Sequence, residues 1–133
     1  MAEATVSAKE RIAGWILSGL PVLFFLVDGV MKLFKPAIVV ETTLKLGYPE
    51  SAITGIGVTL LVCTVLYAVP RTAVLGAALL TGYLGGAVAT HVRVEAGLFN
   101  ILFPVIVGVL VWGGLWLRYP RLRALFPLQP NTM

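Results

Sequence analysis

Long apolar stretches separated by short polar connections set the pattern of this chain. A bilayer core of about 30 Å takes roughly 20 mostly apolar helical residues to cross. Four runs approach or exceed that length: Ile12–Phe34, Ala52–Val69, Thr72–Thr90 and Leu98–Leu117. The last three carry no charge, although the fourth holds Pro104 near its start. The first is interrupted by Pro21, Asp28 and Lys32. Helix is the expected state of all four, because backbone polar groups in lipid must be satisfied within the segment. The shorter, strictly alternating segments of a transmembrane barrel do not occur. Lys9 and Arg11 precede the first run as they would in a signal peptide. That run outlasts a signal h-region and no Ala-x-Ala type site follows it, so it reads as a retained span.

The connections are short with one exception. Pro70-Arg71 is a tight turn, making spans two and three an antiparallel hairpin, and His91–Gly97 joins three to four. Lys35–Ser51 is longer and patterned: Val39, Val40, Thr43, Leu44 and Leu46 share one helical arc, with Glu41 and Lys45 opposite. Gly47 supplies a C-terminal stop, and Tyr48-Pro49-Glu50-Ser51 a turn into the N-cap of span two. The segment predicts a short helix at the membrane face, against the plainer alternative of a polar loop. The fold expected is therefore all-α: an integral membrane four-helix bundle with a short interfacial helix between spans one and two, forming one domain over residues 1–133.

Composition sharpens this. Of 133 residues 59% are apolar and 12% charged, against about 45–50% and 25% in soluble domains. Sixteen charged side chains, ten basic and six acidic, cannot coat a soluble bundle of this size, and so apolar a chain is not disordered. Cys63 is the single cysteine; it excludes an internal disulfide and reads as a small apolar filler. The net charge of +4 implies no nucleic-acid partner, since the basic residues flank the spans. One face collects Lys9, Arg11, Arg71, Arg118, Arg121 and Arg123; the other has Lys32, Lys35, Lys45 and Arg93 beside Glu41, Glu50 and Glu95. Positive residues favour the cytoplasmic side, so both termini are expected there. Trp15, Trp112, Trp116 and Tyr119 fall near the same ends as an aromatic belt.

The costly residues are the informative ones. Asp28 lies most of the way across span one, where an unpaired carboxylate costs a few kcal/mol. Lys32 is one turn further on and can pair with it. Two accounts fit: an ion pair that closes the bundle, or a polar pocket lined by both residues. The other helices bring polar groups to the same outer end: Thr54 of span two, Tyr83 and His91 of span three, Arg93 just beyond it, and Asn100 of span four. His91 as a mere helix-end cap is the blander reading. A single histidine with no cysteine nearby makes no metal site. Span three also carries Gly82, Gly86 and Thr90 at four-residue spacing with Gly85 adjacent, a small-residue ridge for close helix approach. Gly55, Gly57, Gly113 and Gly114 read as packing positions too. Phosphate loops, dinucleotide glycine patterns and paired haem histidines do not occur.

Asp28-Gly29-Val30-Met31-Lys32-Leu33 is similar to a small-Gly-x-x-Lys-Leu stretch of the DoxX-like family of small bacterial membrane proteins. Lys35-Pro36, Leu46-Gly47-Tyr48-Pro49, Tyr67–Thr72 and Gly82–Arg93 follow in that family's order, and the resemblance runs from about Arg11 to Arg121. It implies a four-span unit in the bacterial inner membrane. The family name derives from a subunit of a thiosulfate:quinone oxidoreductase, so the resemblance admits a quinone as ligand and points to Lys32 and Gly86–His91. Many relatives have a small residue where this chain has Asp28, whose carboxylate neutralises Lys32 and weighs against an anion site.

Three functions follow. The chain is an accessory subunit of a membrane redox system that handles a quinone or a sulfur compound. Alternatively it is a small-molecule carrier or assembly chaperone, with carbonyls freed by Pro21 and Pro104 lining a cavity. Or it is a structural element that associates, as a homo-oligomer or with a redox partner, through the Gly82/Gly86/Thr90 ridge. No nucleophile–base pair or metal set marks it as a self-contained enzyme.

Overall fold

A computed structural model describes residues 6–129. The ends of the expected domain, residues 1–5 and 130–133, lie outside the described residues, and so do both chain termini. Among the described residues the elements are helical: α1 (Ala8–Phe34), α2 (Ala37–Lys45), α3 (Ile53–Ala68), α4 (Ala73–Arg93), α5 (Leu98–Arg118) and α6 (Pro120–Leu125), with short 3-10 turns at Glu50–Ala52 and Pro70–Thr72. Four helices are long and apolar enough to cross a membrane: α1, α3 with its preceding turn, α4 with its preceding turn, and α5.

Local sequence explains the boundaries. Ser7 caps α1 by accepting from the Glu10 amide at 3.2 Å, the Ser-x-x-Glu arrangement of a capping box. The helix ends where Lys35 turns left-handed (φ 53°), with its N–H on the Met31 carbonyl and Pro36 unable to continue the ladder. The short helix α2 lies within the expected Lys35–Ser51 segment. Gly47 follows at φ 91°, a conformation that side chains resist. Threonines inside the spans return their hydroxyls to carbonyls four residues back, as Thr64 does to Leu60 and Thr81 to Ala77, so they enter lipid without an unmet donor. The helix α6 has no counterpart in the sequence reading; its six residues are too few for a periodic signal.

The four long helices form a closed ring, α1 against α3 and α5, and α4 against α3 and α5. The core holds Phe25, Leu60, Tyr67, Ala77, Leu80, Val111 and Leu115. Large apolar side chains such as Leu23, Leu75, Ile106 and Val109 face outward at more than half exposure, the surface of a protein solvated by lipid. Apolar burial does little to join helices in lipid; close packing and hydrogen bonds do. The glycines show where the backbones approach. A Cβ built on Gly29 would meet Leu61 at 2.6 Å, and one on Gly57 would meet Lys32 Cβ at 2.8 Å, which locates the α1–α3 contact. A Cβ on Gly14 would meet the Gly114 carbonyl at 2.9 Å across α1–α5, and Gly76 lies against the Tyr67 backbone across α3–α4.

These are not the glycines that the four-residue spacing singled out. Gly82, Gly85 and Gly86 are exposed, and a Cβ at any of them meets nothing within 4 Å. Gly55 is equally open, and Gly113 makes only ordinary contact with Leu17 at 3.7 Å. The Gly82/Gly86 ridge therefore does not pack this bundle: spacing alone does not tell which side of a helix its neighbour occupies. Thr90, the ridge's last member, is buried.

Candidate functional site

The bundle has two unlike ends. At the base, where α1 begins and α5 ends, the polar groups are consumed by one another. Tyr67 Oη lies 2.8 Å from Ser18 Oγ and donates to the Val111 carbonyl at 2.7 Å, and Arg118 Nη2 donates to Ser18 Oγ at 2.9 Å. Arg118 also covers the Trp15 ring, 3.9 Å from its centroid, a cation–π contact. Glu10 pairs with Arg123 of α6, and Trp116 Nε1 donates to the Phe126 carbonyl at 3.0 Å. Trp15 and Trp116, expected as belt residues, are thus tied to Arg118 and Phe126, and Ser18 and Tyr67 join the network without any signal in the sequence. A lone serine and tyrosine forty-nine positions apart give no linear signal.

At the crown, where α1 ends and α2 lies, a cavity of about 350 Å³ opens. Its walls include Lys32 of α1, Thr43 of α2, Tyr48 of the following turn, Ile56 of α3, and Tyr83, Gly86, Thr90 and His91 of α4. The volume falls at the lower end of ligand-pocket sizes, and mostly apolar walls with a few convergent polar groups are the usual mix. Lys32 Nζ donates to Asp28 Oδ2 at 2.6 Å, with side-chain exposures of 16% and 35%. The pair brings no net charge to the cavity, and the ammonium keeps two N–H groups beyond this bond.

Counting protons settles the remaining roles. Thr90 Oγ1 donates to the Gly86 carbonyl at 2.8 Å, so the Tyr48 hydroxyl, 2.8 Å from Thr90 Oγ1, must be the donor in that contact. Thr43 likewise gives its proton to the Val39 carbonyl. His91 Nδ1 lies 2.7 Å from the Ala87 carbonyl, which can only accept, so Nδ1 carries the proton and Nε2 is left for a ligand. The Tyr83 hydroxyl makes no hydrogen bond among the described residues. The cavity thus offers two donors, Lys32 and Tyr83, and an imidazole nitrogen that accepts when neutral.

The other residues expected there sit elsewhere. Arg93 donates from Nη2 to the Leu46 carbonyl at 2.9 Å and rests on Gly47. With the Tyr48–Thr90 bond, it pins the α2 roof to α4 rather than lining the cavity. Thr54 and Asn100 are exposed, the latter donating to the Ala96 carbonyl of its own turn. Pro21 is fully buried in the bundle, and Pro104 borders a second cavity between α4 and α5, so neither lines the crown cavity. Thr43 and Tyr48, which do line it, lie in the connection whose helical arc the sequence reading traced without assigning them a role. Among the described residues no three His, Cys, Asp or Glu side chains come together.

Residues 16–114 match the DoxX-like family. The chain belongs to that family. The match takes in α2, α3 and α4 whole and most of α1 and α5, and leaves out the first two turns of α1, the last turn of α5 and α6. No curated protein and no solved structure matches significantly. What is specific to this DoxX-like chain must therefore be argued from its own cavity, and of the positions to which the family resemblance pointed, Lys32, Gly86, Ala87, Thr90 and His91 border it.

Proposed function

We propose that this DoxX-like membrane protein holds the ring of a quinone in the crown cavity and serves as an accessory subunit of a membrane redox system. The observation that carries the reading is the Lys32 ammonium in the cavity wall, neutralised by Asp28, which itself lies outside the lining. A lysine already neutralised has little pull on a sulfur oxyanion, yet its spare N–H groups still serve an uncharged acceptor. A quinone carbonyl is such an acceptor, and Lys32 and Tyr83 are donors for it. The reduced form needs an acceptor for its hydroxyl, which His91 Nε2 supplies. The apolar remainder of the wall, Ile56, Ala87 and the bare backbone at Gly86, suits a flat ring.

A quinone supplies two-electron chemistry; the protein's part is to orient the ring, shield it and hold or accept protons at Lys32, Tyr83 and His91. The electrons come from a partner, which makes the role accessory. The six basic residues at the base support cytoplasmic termini in a bacterial inner membrane, with the crown on the outer side. Calorimetric titration of a short-tailed quinone into the detergent-solubilised protein tests this. Saturable binding, weakened about tenfold by Tyr83→Phe and unaffected by excess thiosulfate, is expected. Absence of saturable binding, or displacement by thiosulfate, overturns it. Proteoliposomes that instead take up a small polar solute, in a manner abolished by Lys32→Met, would favour the carrier reading.

A further inference from the structure

The second cavity is of a different kind from the first. It measures about 540 Å³ between α4 and α5, and Leu84, Gly85, Val105, Gly108 and Trp112 contribute to its walls. Its polar atoms are already spent. Trp112 Nε1 donates to Thr81 Oγ1 at 2.7 Å, and Thr81 passes its own proton to the Ala77 carbonyl. Nothing there offers a hydrogen bond, so the chemistry it fits is hydrocarbon. It also has a floor. Phe126 stacks on Trp112 with centroids 5.2 Å apart, held there by the Trp116 bond to its carbonyl, so the groove is closed toward the base. An ordinary lipid-facing surface has no such stop.

The two cavities lie on either side of one helix. At 100° per residue, the arc of α4 between the crown cavity and the groove is occupied by Gly86, Gly82, Ala89 and Gly85, all exposed. Gly82 and Gly86 border the first cavity and Gly85 the second, and a Cβ on any of these glycines meets nothing. The back of α4 is therefore a bare saddle joining a polar cavity to an apolar one.

We infer that the two cavities form one binding site for an amphipathic ligand whose uncharged, hydrogen-bond-accepting head sits among Lys32, Tyr83 and His91 and whose long hydrocarbon tail crosses the Gly82/Gly85/Gly86 saddle into the α4–α5 groove. This rests on the head-binding reading above and adds the path of the tail. It also accounts for small residues that do not pack the bundle. A side chain at position 82, 85 or 86 would stand in the tail's way.

The test compares two analogues with the same quinone ring, one carrying a single prenyl unit and one carrying several. Binding is measured in nanodiscs, with concentrations expressed per lipid so that simple partitioning cancels. The long-tailed analogue binds the wild type about tenfold more tightly than the short one, as extra apolar burial requires. Gly85→Leu and Gly108→Leu, both in the groove and outside the head cavity, abolish that advantage and leave short-tail affinity intact, which also shows that they fold. If the short analogue binds but the tail adds nothing, or its advantage survives both substitutions, the tail path is wrong and the head reading stands. If Gly85→Leu alters the oligomeric state in detergent while tail dependence persists, the saddle is an interface between copies and the inference fails. If neither analogue binds, both ideas fail together.

Discussion

The base and the crown of this bundle are built from similar materials to opposite ends. Each places a cationic side chain among hydroxyl groups and glycines at the margin of an apolar core. At the base, Arg118, Ser18 and Tyr67 satisfy one another, and Gly14, Gly76 and Gly114 bring backbones into contact. At the crown, Lys32 is balanced by Asp28, yet Tyr83 and His91 keep capacity in reserve, and Gly82 and Gly86 of α4 touch nothing although Gly57 packs against Lys32. Polar groups that are fully paired inside low-dielectric surroundings rigidify a fold. Groups left with spare donors beside a cavity are the raw material of a binding site. The difference separates an end whose polar groups are consumed by one another from an end that keeps hydrogen-bonding capacity beside a cavity.

The contrast can be broken most sharply at its glycines. Gly76→Val should be the most damaging change, because any side chain there runs into the Tyr67 backbone, which cannot move aside. Unfolding in detergent should register a loss of about 3 kcal/mol, at the top of the overpacking range. Next comes the ion pair. Lys32→Met leaves a carboxylate without its partner at membrane depth and should cost about 2 kcal/mol. The double change Asp28→Leu with Lys32→Met should recover most of that loss in the same assay. Tyr67→Phe deletes one hydroxyl from the closed network and should cost about 1 kcal/mol. Gly82→Leu, on the saddle, should shift stability by less than about 0.5 kcal/mol, as an exposed substitution that meets no neighbour does. Arg93→Met should leave global stability equally unmoved. It should, however, speed hydrogen exchange at Gly47 and Tyr48, because the Leu46 carbonyl loses the guanidinium that ties the α2 roof to α4.

How much of this was legible without coordinates follows the same division. The four spans and α2 could be read because their signals are local: run length, the Asp28-to-Lys32 spacing, the Pro36 and Gly47 punctuation. The crown was partly legible because charge in a span is rare enough to be conspicuous, and one turn separates the two partners. Tyr48 and Thr43 escaped because a polar side chain in a connecting segment carries no such contrast. The base network escaped for a further reason. Ser18, Tyr67 and Arg118 are ordinary residues whose meaning depends on three helices meeting. For that reason as well the packing expectation holds at Gly57 and Gly114, which pack, and the internal-packing alternative fails at Gly82, Gly85 and Gly86, which meet nothing in the bundle. A four-residue repeat identifies a smooth helix face, and only the ring order of the helices tells whether a neighbour or lipid covers it.

The account's central claim is that the crown cavity takes the head of an uncharged acceptor ligand, and photolabelling addresses it directly. A quinone with a photoreactive group on its ring is irradiated with the protein in nanodiscs, and the labelled peptides are read by mass spectrometry. Label concentrated within Tyr83–His91 and at Lys32 and Tyr48, and displaced by unlabelled quinone, is the predicted result. Label scattered along the lipid-facing residues of all four long helices, undiminished by competitor, would contradict it.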